Sequence, residues 1–280
     1  MTILITGATG NVGRPLVDHL LDAGADLRGV SRNPSAADLP AAVQVVASPF
    51  DGLRGATAVF LNSRALGDQM VPLIAAAARS GVRRLVALSA INADDDDSRQ
   101  PSRFRGDRNR EADRLSANSG IPWVSLRPTL FASNFIGMWA AQLRGGDSVY
   151  GPHSGASLAP IADADIAAVA ASAFLHDDLI GQRVPMTGPQ ALTNAELVGV
   201  LGTVLGRSLR YREVPAHVFR QRFTDMGFPV GFADAYTAML ATTLDHPATV
   251  THDVEKILGR PATSFAEWAD AHRAVFTSGQ

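Results

Sequence analysis

The 280-residue sequence predicts an α/β fold, a doubly wound parallel sheet followed by a smaller, mostly helical C-terminal lobe. Three observations predict it. The chain opens on a β-branched apolar run, Ile3-Leu4-Ile5, breaks into glycines at Gly7, Gly10 and Gly13, and resumes as Leu16, Val17, Leu20 and Leu21 at helical spacing. Short apolar runs and helical stretches then alternate, as expected for strands joined by right-handed crossovers and covered on both faces. Beyond residue 189 helices dominate, two of them opened by capping boxes, Thr193-x-x-Glu196 and Ser264-x-x-Glu267.

The first element is a buried strand running into a tight turn and a helix that starts near Asn11. Glycine lets the turn reach backbone angles closed to other residues, and the missing side chains let a pyrophosphate approach the main chain. The phosphates would rest on the free N–H groups and positive end of the helix. A glycine triplet between strand and amphipathic helix is the context of a Rossmann-type dinucleotide site.

Gly24 stops this helix, and further strands are expected over 26–30, 43–47, 58–61 and 84–88. A helix over 67–80 with Gly81 at C′ precedes the last of these. A strand over 123–127 follows, and another over 184–187 returns to the sheet. A short strand over 209–214 and helices around 218–226 and 232–244 belong to the lobe. Residues 1–150 read as the dinucleotide-binding domain, with a returning strand and helix near 161–188. Residues 189–280 read as the substrate-binding lobe. Asp163 and Asp165 suit the N-terminus of the helix near 166–175 as caps.

In such sheets ligands bind outside the carboxyl ends of the strands. The loops at issue span 7–13, 31–34, 48–51, 62–67, 89–92 and 128–134. At the end of the second strand an acidic residue would bond a ribose 2′-hydroxyl, whereas arginine accommodates a 2′-phosphate. Here Ser31 holds that place and Arg32 follows, so NADP(H) is the expected cofactor.

Composition narrows the classes. Apolar residues are 46% and charged residues 19%, enough for a substantial core, and a net charge of −2 argues against nucleic-acid or membrane-surface binding. There is no cysteine, which excludes disulfides and thiolate catalysis. No apolar run approaches the roughly 18 residues of a membrane helix, and no basic leader precedes the first strand, so a cytoplasmic protein is expected. The scattered histidines suggest no metal site. Between Asp94 and Arg114 seven acids face six arginines, which reads as a mobile loop and a solvated helix, or more sharply as a lid over the substrate.

Several motifs together resemble the NmrA-like group of atypical short-chain dehydrogenases, which includes NADPH-dependent quinone oxidoreductases and redox-sensing regulators. They are Thr6-Gly-Ala-Thr-Gly-Asn-Val-Gly13, Ser31-Arg-Asn-Pro34, Ser119-Gly-Ile-Pro-Trp123 with Leu126-Arg-Pro128 and Asn134-Phe135, then Leu258-Gly-Arg-Pro261 with Ser264-Phe-Ala-Glu-Trp268. The resemblance implies that Gly7, Thr9, Gly10, Asn11 and Val12 line the pyrophosphate and Arg32 the 2′-phosphate. It further implies that Leu61, Asn62, Ser63 and Ser89 border the adenosine and ribose, and that Pro128, Thr129 and Phe131 flank the nicotinamide. Where the group often has an acid near the adenine, this chain has Ser48.

Typical short-chain dehydrogenases pair a tyrosine with a lysine four residues on, which lowers the tyrosine pKa for proton exchange. Lys256 is the only lysine here, and Ser154, Pro215 and Leu240 stand four residues beyond Tyr150, Tyr211 and Tyr236. By register, the tyrosine and lysine places fall near Arg105 and Asn109. Hydride transfer to a quinone, enone or other activated carbonyl survives that loss, because such acceptors need no enzymic acid. Ser89, Asn92 and Asn134 are the expected hydrogen-bond donors around the reacting carbonyl, and His153 is a candidate proton donor. Phe219, Phe223, Met226, Phe228, Phe232 and Met239 would supply an apolar wall, so an apolar or aromatic carbonyl compound is the expected small-molecule substrate. A non-enzymatic NADP(H) sensor and a redox-neutral biosynthetic enzyme are the alternatives; the sequence leaves the oligomeric state open.

Overall fold

The computed structural model describes residues 1–277; the last three residues of the expected lobe lie outside the described residues. Strand β1 (Thr2–Ile5) is followed by α1 (Gly13–Asp22) and β2 (Asp26–Val30). Next come β3 (Gln44–Val46), α2 (Pro49–Leu53), β4 (Ala58–Asn62), α3 (Ser63–Leu66), α4 (Met70–Arg79) and β5 (Arg84–Leu88). Two 3-10 turns, Asp97–Arg99 and Pro101–Arg105, lead into α5 (Asn109–Ala117), which precedes β6 (Trp123–Pro128) and α6 (Asn134–Arg144). The chain continues through β7 (Ser148–Gly151), β8 (Ser157–Leu158), α7 (Asp163–Leu175) and β9 (Arg183–Met186). It ends with β10 (Leu192–Thr193), α8 (Asn194–Leu205), β11 (Arg210–Glu213), α9 (Ala216–Asp225), α10 (Phe232–Ala241), α11 (Asp253–Leu258), α12 (Phe265–Ala271) and α13 (Arg273–Thr277).

Seven strands form one parallel sheet in the order β3-β2-β1-β4-β5-β6-β9. The order reverses between β1 and β4, which opens the crevice where such sheets take ligands. Ile3, Leu4 and Ile5 are wholly buried because both faces are covered. Each such side chain contributes roughly 1.5–3 kcal/mol. Leu16, Val17 and Leu20 of α1 join Ile166, Ala170 and Phe174 of α7 and Val254 of α11 on one face. On the other, Leu73, Ile74 and Ala77 of α4 meet Ala112 of α5. Gly24 and Gly81 end α1 and α4 in the left-handed conformation, as their positions predict.

A third core differs from the sequence division at residue 150. It joins Phe135, Trp139 and Leu143 of α6 to Leu197 and Leu201 of α8, Phe219, Tyr236 and Trp268. The lobe therefore draws in chain that precedes β7, while α7 and β9 return to the main sheet. Both capping boxes form, at Thr193 with Glu196 and at Ser264 with Glu267.

The expected caps at Asp163 and Asp165 do not form. Ala162 is the N-cap of α7, and no side chain caps it. Both carboxylates instead reach across to other elements. Asp165, fully buried, accepts from the Arg260 guanidinium and the Thr263 N–H, each at 2.7 Å. This places the Leu258-Gly-Arg-Pro261 stretch against α7.

Candidate functional site at the strand ends

Gly7 takes φ +71°, and a Cβ there would stand 3.0 Å from the Asn62 side-chain nitrogen. The turn closes with the Gly10 N–H donating to the Gly7 carbonyl at 3.0 Å. At Gly13 the constraint is harder, since a Cβ would stand 2.1 Å from the Gly7 carbonyl oxygen. The glycines thus let the first turn of α1 lie directly on the loop that feeds it. Thr9, Gly10 and Asn11 are exposed, while Val12 is buried. The main-chain N–H groups of Asn11 and Val12 have no partner among the described residues. Unpaired donors at a helix start fit a pyrophosphate.

The switch point is tied across its two strands by Thr6. Its hydroxyl donates to the Phe60 carbonyl and accepts from the Asn62 N–H, both at 2.8 Å. Leu61 is buried, the Asn62 side chain caps α3 by accepting from the Ala65 N–H, and the Ser63 hydroxyl accepts from the Arg108 N–H at 2.9 Å.

Beyond β2, the Ser31 hydroxyl is held within its own turn by Asn33. Arg32 is exposed, and its side chain makes no ion pair or hydrogen bond among the described residues. Ser48 caps α2 by accepting from the Phe50 N–H, so its side chain has a local task.

Ser133 joins the glycine turn to α7. The Asn11 side-chain amide donates to its hydroxyl at 3.0 Å, and that hydroxyl donates to Asp163 at 2.8 Å. Burial pushes the Asp163 carboxyl above its ordinary value, against the lowering effect of the Ser133 hydrogen bonds. The sequence placed Asp163 at a helix start and missed this bridge, because Asn11, Ser133 and Asp163 are far apart along the chain.

The other expected residues have distinct situations. Ser89 is buried and its hydroxyl donates to the Asn109 carbonyl at 3.0 Å, while the Asn92 amide donates to the Arg99 carbonyl at 3.0 Å. Pro128 ends β6, the Thr129 N–H donates to the Met186 carbonyl, and Phe131 bridges to Ile161. Asn134 opens α6 half-buried, with no side-chain hydrogen bond among the described residues. His153 sits at φ +50°, and its carbonyl accepts from the Asn194 amide. None of its hydrogen bonds reaches a strand-end loop.

The 94–114 segment, expected as a mobile loop and solvated helix or as a lid, is densely bonded. Arg103 pairs with Glu111 through two hydrogen bonds of 3.0 and 2.9 Å, and Arg110 binds Asp97 and the carbonyls of Ala93 and Asp95. Buried Asp113 takes Arg127 at 2.7 Å, Arg183 at 2.9 Å and the Ser125 hydroxyl at 2.8 Å. Asp94, Asp97, Glu111 and Asp113 are each paired with arginines within or beside the segment, and the Pro101–Arg105 turn packs on α10.

That packing shapes a cleft of about 350 Å³ lined by Arg64, Phe104, Arg105, Met226, Phe228 and Pro229. Of the expected apolar wall, Met226 and Phe228 face it. Phe219, Phe223 and Phe232 are instead core, packed as rings with Tyr236. Helical spacing alone could not separate the two roles. Burial pushes Tyr211 and Tyr236 far up, the Tyr211 hydroxyl donates to the Pro152 carbonyl at 2.7 Å, and Tyr150 lies under the Arg222 guanidinium.

A parallel sheet in this order, with a glycine turn and unpaired helix-start donors at its switch point, defines a dinucleotide-binding Rossmann protein. The chain belongs to the NAD(P)H-binding family, whose model matches residues 7–177, in agreement with its NmrA-like motifs. It is 33% identical to the NAD(P)H azoreductase of Xenophilus azovorans over 98% of this chain and 99% of that protein. The same identity and coverage relate it to the (4-alkanoyl-5-oxo-2,5-dihydrofuran-3-yl)methyl phosphate reductase of Streptomyces griseus. Its fold matches an NADPH-dependent quinone oxidoreductase of Escherichia coli solved with NADPH, at a TM-score of 0.80 and 22% identity, over 98% of this chain and all of that one. No helix among the described residues is long and apolar enough to cross a membrane.

Proposed function

We propose that the protein is an NADPH-dependent oxidoreductase that reduces a quinone, enone or other activated carbonyl without a tyrosine–lysine pair. The observation that carries this reading is a glycine turn with unpaired Asn11 and Val12 N–H groups and an unpaired Arg32, set beside strand-end loops that offer hydrogen-bond donors but no general acid. NADPH bound there supplies the hydride.

The chain's own residues bind and orient. Gly7, Thr9, Gly10, Asn11 and Val12 hold the pyrophosphate, and Arg32 the 2′-phosphate, in preference to NADH. Leu61, Asn62, Ser63 and Ser89 border the adenosine and ribose. Pro128, Thr129 and Phe131 present the nicotinamide face. Asn134 is the donor left unspent at the β6 end, and it holds the acceptor oxygen. Ser89 and Asn92 act on that oxygen only by exchanging their present carbonyl partners, so they fix the loop as well. Water completes protonation, and proximity supplies much of the rate. Reductases of azo compounds and of an unsaturated lactone phosphate among the relatives agree with an electron-poor acceptor. NADPH consumption across a panel of quinones and enones tests the reading; turnover with at least one is expected. Tight NADPH binding without turnover of any acceptor overturns it.

A further inference from the structure

The cleft beside the strand ends is apolar on one side and cationic on the other. Phe104 and Met226 are about two-fifths exposed on it, at 40% and 38%. Phe228 carries the Arg105 guanidinium over its ring, 5.4 Å from the centroid. Arg64 and Arg105 also line it, and among the described residues neither makes an ion pair or a side-chain hydrogen bond. This contrasts with the neighbouring Arg103, Arg110 and Arg127, each bound to carboxylates. Asp107 is the carboxylate whose charge acts on both, and it is shared with Arg108, so three cations face one anion.

The place is suited to substrate. Arg64 follows Ser63 at the carboxyl end of β4, and the Arg108 N–H bonds that serine, which seats the 105–108 corner on the strand end. By register with Ser119-Gly120, the tyrosine place of short-chain dehydrogenases falls near Arg105. Burial, then the charge of Arg64, lowers the Arg105 pKa, and the single Asp107 carboxylate offsets this only in part, as expected for guanidiniums that outnumber the acids in a part-dry site. An anion there relieves both costs, and guanidinium forks match carboxylate, sulfonate and phosphate alike.

Building on the reductase reading, we propose that the acceptor carries an anionic group on a flat apolar body, with Arg64 and Arg105 holding the anion and Phe104, Met226 and Phe228 the body. The pair sets substrate preference. It takes no part in the hydride step, and its guanidiniums remain protonated.

The experiment compares 1,4-naphthoquinone with its 2-sulfonate in wild type, Arg64→Gln, Arg105→Gln and the double variant. The readout is the ratio of kcat/KM for the anionic acceptor to that for the neutral one, which cancels differences in intrinsic reactivity between variants. Each single change is expected to lower the ratio about 10-fold and the double change up to about 100-fold, the range for a hydrogen bond to a charged group. Arg64→Lys and Arg105→Lys, which keep the charge, restore most of it. Raising ionic strength lowers the wild-type ratio and leaves that of the double variant flat.

A second arm needs no turnover. Calorimetry on NADP⁺-loaded protein compares 2-naphthalenesulfonate, 2-naphthoate and 2-naphthyl phosphate with uncharged 2-naphthalenemethanol. All three anions are expected to bind more tightly than the alcohol, with the advantage lost in the double variant. Equal binding of anions and alcohol, or an unchanged ratio in the double variant, overturns the proposal. So does a loss of NADPH affinity alone, since the pair would then serve the nucleotide. A wild type that reduces no acceptor yet binds the anions through these arginines sinks the reductase reading and leaves the anion site standing.

Discussion

The glycine turn and the arginine cleft are built by opposite means. Around β1 the geometry is set by main chain: the left-handed Gly7, the Gly10 to Gly7 hydrogen bond and the Gly13 contact all lie within seven residues. In the cleft it is set by long side chains from α3, the Pro101–Arg105 turn and the loop after α9, elements separated by scores of residues. A nucleotide shared by many enzymes is met by backbone, which few substitutions alter. A particular acceptor is met by side chains, which can be exchanged without disturbing the sheet.

The sharpest way to break that contrast is to put a methyl group into the turn. Gly13→Ala sets a Cβ 2.1 Å from a carbonyl oxygen that cannot move without reshaping the loop. It is expected to cost about 3 kcal/mol and to weaken NADPH binding at least tenfold, read by thermal unfolding and by titration. Gly24→Ala is the companion, because its Cβ would meet open space at φ +74°. It is expected to cost about 1 kcal/mol from backbone strain alone and to leave NADPH affinity as it was. Equal losses at both glycines would show that helix ends in general, and not this turn, set the affinity.

A smaller effect is expected at Arg32. It is the side-chain exception at the nucleotide end, exposed and unpaired beyond β2. Arg32→Ala should raise the NADPH dissociation constant about tenfold, the scale of one charged hydrogen bond, and leave that of NADH unmoved. A parallel rise for both nucleotides would remove the arginine from 2′-phosphate recognition.

The same contrast explains what could be foreseen. The sheet was legible because its strands carry short apolar or alternating patterns of their own between turn residues, and the expected 26–30 and 84–88 spans match β2 and β5 to the residue. The glycine turn was legible because its constraints are local. Asp163 and Asp165 misled because a carboxylate near a helix start looks the same whether it caps or reaches across to Ser133 or Arg260. In the 94–114 segment the pairing was not legible, because partners such as Arg127 and Arg183 lie far along the chain from Asp113. Arg64 carried no signal at all, since nothing in an isolated Ser-Arg-Ala tells that Arg105 lies beside it.

Asp163 is where the two modes of construction meet, and it offers the finest test. Its carboxylate is buried, has no guanidinium partner among the described residues, and steadies Asn11 of the turn through the Ser133 hydroxyl. Burial raises its folded-state pKa, so between the unfolded value near 4 and that raised value the native state holds the proton more firmly. Its contribution to stability therefore falls as pH rises through this window and is most adverse at neutral pH. Asp163→Asn removes the titration while keeping an oxygen for Ser133 to donate to. The variant is expected to melt about 2 °C higher at pH 7, with the advantage shrinking as pH approaches 4. Because a neutral amide accepts less strongly than a carboxylate, NADPH affinity should fall by about threefold. Stability gained with affinity lost would mark a buried charge kept for the sake of the turn. A variant less stable at pH 7 than at pH 4 relative to wild type would reverse the sign argued here and make the Asp163 carboxylate a support of the fold.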